Sequence, residues 1–138
     1  MTAQRSLGAI LFFLPMWLGC MGGTKWEPVA EMVCQKYQER VALLQSVQTA
    51  SEAKEAVASN ERWQSEYEQL IDQFANTLRK YEGAMDFPKY NEFRNRWTQI
   101  NESVNRERKR IDTLNGVGTQ YDTDLLLISR TSFTNPFR

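Results

Sequence analysis

Apolar side chains return every three or four residues from residue 28 almost to residue 114. No other feature limits the fold of this chain as strongly. Val29, Val33, Tyr37, Val41, Leu44 and Val47 form a first stripe. Ala53, Ala56, Val57, Trp63, Tyr67, Leu70, Ile71, Phe74, Leu78 and Tyr81 form a second. Tyr90, Phe93, Trp97, Ile100, Val104, Ile111 and Leu114 form a third, which skips one turn after Val104. Side chains at this spacing share one face of a helix, and the heptad-like rhythm is that of helices packed as in a coiled coil. The expected fold class is all-α.

Turn and capping residues divide the stripes into three helices. Pro28 suits the first turn of one helix, because its missing N–H would be unpaired there in any case. Thr49-Ala50-Ser51-Glu52 has the spacing of a capping box. Gly83 is placed to end the second helix, Asp86 to cap the third, and Gly116 and Gly118 to end it. The first junction contains no glycine or proline, so a single helix over 28–82 competes with two. Stripe phase favours a break near Gln48 to Ser51. Steps of 3.5 residues from Val47 reach about 61 and about 68, whereas the second stripe occupies 60, 63, 67 and 70.

Short connections predict a three-helix up-down-up bundle over 28–118, with a long hairpin between the second and third helices. Residues 119–138 form a separate C-terminal segment. Leu125-Leu126-Leu127-Ile128 is too apolar to stay in water, so a short fourth helix or an extended stretch packed on the bundle is expected. A first helix of about 30 Å runs beside a second of nearly 50 Å. It therefore stops near Ile71, leaving Phe74, Leu78, Tyr81, Phe87, Tyr90 and Phe93 without a third helix at the hairpin tip. These six make up a candidate interaction patch for self-association or partner docking. The competing reading closes the rings over themselves or covers them with the tail.

Residues 1–19 have another character. Arg5 precedes Leu7 through Gly19, an uncharged run of 13 residues. Spanning a bilayer takes about 20, and Pro15 interrupts the run, so it reads as the hydrophobic part of a secretory signal peptide. It ends at Trp17-Leu18-Gly19-Cys20. Here the chain resembles bacterial lipoproteins, whose signal peptides end in small residues before a cysteine that is acylated and becomes the new N-terminus. Trp17 departs from that pattern, which usually has leucine there. The resemblance implies a lipidated Cys20, a linker over 20–27 and a protein exported and anchored to the bacterial cell envelope membrane. Ordinary cleavage after Gly22 and a retained signal anchor are the alternatives. Leu44-Gln45-Ser46-Val47, leading into Ala50, Ala53 and Ala56, is similar in layout to small helical bacterial lipoproteins of unknown function. That likeness brings no site with it.

Seventeen basic and seventeen acidic residues leave no net charge, which argues against a nucleic-acid partner. Without residues 1–19 the chain loses Arg5 and no acid, leaving 16 basic against 17 acidic residues and a net charge of −1. Histidine is absent, removing the commonest general base and metal ligand. No phosphate loop, dinucleotide fingerprint or nucleophile elbow occurs. No catalytic, cofactor or metal site is therefore expected. Arg106, Arg108, Lys109 and Arg110 form the one dense basic run, read as a solvated face paired with Glu52, Glu55 and Glu61. Cys34 is read as a buried, inert thiol. Trp63 and Trp97 lie on the stripes and are expected in the core, while Trp26 stands near the anchor. The leading function is a lipid-anchored structural or protein-interaction module. The alternative is a small module holding an apolar or glycan ligand among Trp26, Ile71, Phe74 and Trp97.

Overall fold

A turn between Gln45 and Ala50 separates the first two stripes. The computed structural model, which describes residues 25–81, 85–116 and 123–137, contains α1 (Trp26–Gln45), α2 (Ala50–Arg79), α3 (Phe87–Gly116) and α4 (Thr123–Arg130). No strand occurs among the described residues. Lys25 stands at the N-cap of α1, so Pro28 falls within the first turn rather than opening the helix. At the junction, the N–H groups of Ser46 and Val47 donate to Ala42 O and Leu44 O at 3.1 Å each. Thr49 is extended, and its hydroxyl accepts from Glu52 N–H at 3.2 Å. The Glu52 carboxylate returns to Gln48 N–H at 3.1 Å, one residue before the position a capping box uses. The single-helix alternative is thereby excluded. At the start of α3, the Asp86 carboxylate accepts from Lys89 N–H at 3.1 Å.

The three long helices pack together, α1 lying against both α2 and α3. Contacts between α1 and α3 advance together along the two sequences. Trp26 meets Tyr90, Glu31 meets Arg96, and Tyr37 meets Asn101. Contacts with α2 advance in opposite senses: Lys36 meets Glu66, while Arg40 meets Asn60. The backbones of α2 and α3 hardly approach each other. Close backbone packing of the second helix on the third, implicit in a plain hairpin, is therefore absent among the described residues; side chains such as Trp97 and Tyr67 still meet across the gap, and intervening elements fill the rest. On one side this element is α1, and on the other α4, which rests on both α3 and α2.

Every member of the first stripe is buried, and the third is buried except for the half-buried Leu114. In the second, Ala53, Trp63, Tyr67, Leu70 and Phe74 are buried, whereas Ala56, Val57, Ile71, Leu78 and Tyr81 are only partly so. Both forms expected for the C-terminal segment occur in succession. Leu125 and Ile128 of α4 enter the core, and residues 131–137 continue without regular secondary structure as a strap along the bundle.

Candidate functional site

The strap overturns most of the exposed aromatic patch. Phe137 is fully buried, with its ring 4.9 Å from Phe74, 5.7 Å from Tyr90 and 6.1 Å from Phe93. Trp26 covers the same group from α1, at 5.9 Å from Tyr90 and 5.7 Å from Phe93. Phe74, Tyr90 and Phe93 are consequently buried, and Leu78 and Tyr81 are packed against the core. Phe87, at 70% exposure, is the member of the six that stays in water. Chain length explains the correction. From Asn60, beside the start of the strap, to Phe74 is about 21 Å of helix, and seven extended residues reach about 23 Å.

Midway along its course the strap seals a stack of rings. Trp97 lies on Tyr37 at 4.5 Å and 6°, Tyr37 on Tyr67 at 5.4 Å and 22°, and Tyr67 on Trp63 at 4.9 Å and 14°. Phe133 meets Tyr67 and Trp63 edge-on at 5.2 and 5.3 Å. The polar atoms of the stack are satisfied inside the protein. Trp97 Nε1–H donates to Tyr67 Oη at 2.9 Å, Tyr37 Oη–H to Asn101 Oδ1 at 2.5 Å, and Trp63 Nε1–H to Lys36 O at 2.8 Å. Burial pushes the Tyr37 phenol up to about 12 and the Tyr67 phenol upward as well, so both remain protonated. The expected ligand place among Trp26, Ile71, Phe74 and Trp97 is not open in this way. Its three rings, Trp26, Phe74 and Trp97, are faced by Tyr90, Phe137 and Tyr37 of the same chain.

Two arginines fasten α4 and the strap. Arg40 is completely buried. It donates to Asn60 Oδ1 at 2.8 Å, to Thr131 O at 3.1 Å and to Ile128 O at 3.4 Å. Its guanidinium carbon stands 5.1 Å from the Trp63 ring and 5.3 Å from Phe133. Burial lowers its pKa to about 10; among the described residues no carboxylate is bonded to it and its Nε–H finds no partner. Arg108 donates to Ser129 O at 2.6 Å and Arg130 O at 3.3 Å. Four successive carbonyls, from Ile128 to Thr131, thus receive cationic donors where the end of a helix concentrates negative partial charge.

The basic run is corrected accordingly. Arg110 caps α1 through Leu44 O at 2.9 Å and pairs with Glu107 at 2.6 Å, not with the expected acids of α2. Arg108 and Arg110 therefore close helix ends, which makes them structural and not merely solvated. Their positions had a readable signal. Arg108 occupies the turn skipped between Val104 and Ile111, and Arg40 and Asn60 each stand three or four residues from buried stripe members.

Cys34 is buried with its thiol 3.8 Å from Phe93 O, and burial raises it to about 11. An open cleft of about 390 Å³ separates α2 from the strap, with Tyr67, Ile71, Phe133 and Pro136 in its wall. Among the described residues, no group of three or more His, Cys, Asp or Glu is placed to hold a metal ion. No helix among them is long and apolar enough to cross a membrane. The signal segment, Cys20, Gly83 and Gly118 lie outside the described residues. No protein-family model matches the chain, and no curated protein or solved structure matches it either.

Proposed function

We propose that this chain is a lipid-anchored protein of the bacterial cell envelope, working as a structural or protein-interaction module. Export and anchoring rest on the uncharged run from Leu7 to Gly19 and on Cys20 directly after it. One structural observation carries the interaction role. The aromatic rings that a ligand would need are occupied by Phe133 and Phe137 of the strap and by one another, so the outer surface is what remains for recognition.

In this reading the three long helices run up, down and up, and the second and third form a long hairpin wedged open by α1 and α4. The rising contacts between α1 and α3 and the falling contacts between α1 and α2 support that course. The starts of α1 and α3 then share one end of the molecule, the end nearest Cys20.

Mass spectrometry of the protein extracted from its native membrane tests the anchor, and crosslinking before extraction tests the partner. The expected result is an N-terminal acylated Cys20 and a crosslinked protein neighbour. A Cys20→Ala variant that is cleaved normally and stays on the membrane would rule out the lipid anchor.

A further inference from the structure

Two large apolar side chains are exposed among the described residues, Phe87 at 70% and Leu127 at 47%. They lie at different heights on the bundle. Phe87 opens α3, and Trp26, which opens α1, packs on Tyr90 one turn further along. Leu127 belongs to α4, whose final carbonyls are held by Arg108. Arg108 stands about 30 Å along α3 from Phe87.

Five residue steps join Cys20 to Lys25, and an extended chain covers about 18 Å in that distance. An acylated Cys20 thus holds the end containing Trp26 and Phe87 within that range of the bilayer. Exposed Lys25, Lys80 and Lys89 stand on residues that open or close helices at this end. Phenylalanine flanked by lysines is a combination found on surfaces that lie in a membrane–water interface, the ring on the apolar side and the lysines on the polar one.

On the reading of Cys20 as an acylated N-terminus, we infer that Phe87 inserts into the interfacial layer of the same bilayer, so that the opening turns of α1 and α3 face the membrane and α4 points away from it. The occupant of this surface is lipid. Tether length selects it over a second copy of the chain, because the anchor brings the bilayer to this end and to no other. A single ring beside an acyl anchor sets orientation more than retention, since the acyl chains alone already retain the protein.

The full acylated protein is reconstituted in vesicles of phosphatidylethanolamine and phosphatidylglycerol. Phe87→Cys and Leu127→Cys variants are each labelled with a polarity-sensitive fluorophore, Cys34 being buried and Cys20 blocked. The label at 87 is expected to shift to the blue and to be quenched severalfold by spin-labelled lipid, while the label at 127 keeps its aqueous spectrum. Phe87→Trp, read by brominated-lipid quenching, repeats the test with a ring in place. An acylated protein whose position 87 behaves like position 127 overturns the inference and leaves the anchor standing. A blue shift at 87 without lipid quenching, together with energy transfer between copies, overturns it in favour of self-association. An unacylated Cys20 in the mass spectrum overturns the anchor itself, and with it this inference.

Discussion

Arg40 of α1 and Arg108 of α3 grip the same helix end, Arg40 through Ile128 O and Thr131 O and Arg108 through the two carbonyls between them. A charge as deeply buried as that of Arg40 is costly unless it is well bonded. Here the return is positional. The paired arginines fix where α4 stops, and that sets the starting point from which Phe133 and Phe137 reach their slots.

Replacing Arg108 with glutamine removes two of those bonds. Loss of about 2 kcal/mol is expected, since carbonyls capped by a charged donor are left half-buried. Urea denaturation measures the loss. Trypsin should also cleave after the exposed Arg130 sooner than in the unaltered chain. Unchanged stability and unchanged cleavage would return the basic run to the role of a solvated face.

Phe137→Ala empties the slot between Phe74, Tyr90 and Phe93. A cost of about 3 kcal/mol or more is expected, as for other phenyl rings removed from a core. Because the strap is the cover of this end, an environment-sensitive dye should bind the variant and not the unaltered protein. A stable variant that excludes the dye would mean that Trp26 alone is a sufficient cover.

Glu31 joins α1 to α3 through both terminal guanidinium nitrogens of Arg96, at 2.5 and 2.6 Å. The Arg96 hydrogen bond holds the Glu31 carboxyl below its ordinary 4.5. A carboxyl depressed by folding stabilises the fold above that ordinary value and loses the contribution as pH falls through the lowered one. Melting temperature against pH should therefore separate the unaltered protein from Glu31→Gln at neutral pH and bring the two together in acid. The difference should be small and should shrink with salt, because both side chains are more than one-third exposed.

Cys34 should resist alkylation in the folded protein. Its thiol is buried and raised from 9.0 to about 11, so at about pH 8 almost none is the reactive thiolate. Reaction should accelerate sharply in denaturant. Rapid modification under native conditions would show that α1 and α3 separate locally.

Much of the bundle was legible because period and burial are the same fact for a helix. Val33, Tyr37, Tyr67, Trp97 and Val104 could be assigned to the core from spacing alone. The division at Thr49 was legible too, because a capping hydroxyl and a shift of stripe phase marked the same place. The arginine clasp was not legible. Arg40 drew no expectation and Arg108 was expected on a solvated face; although Arg108 fills the skipped turn, nothing local names the acceptors of either. Those carbonyls lie 88 and 91 residues beyond Arg40 in the chain and 21 and 22 beyond Arg108.

Local sequence by itself determined the three long helices, where the first two divide and which faces seek a core, since each follows from backbone propensity, capping and the helical repeat within a few residues. Only the tertiary structure decided that Phe137 returns to cover Phe74, Tyr90 and Phe93, and so that a surface expected to be open is closed while Phe87 stays exposed. The strap has no periodicity to announce its path. Its place is set by how far seven residues reach from the end of α4, and by aromatic slots that exist only after α1, α2 and α3 have packed.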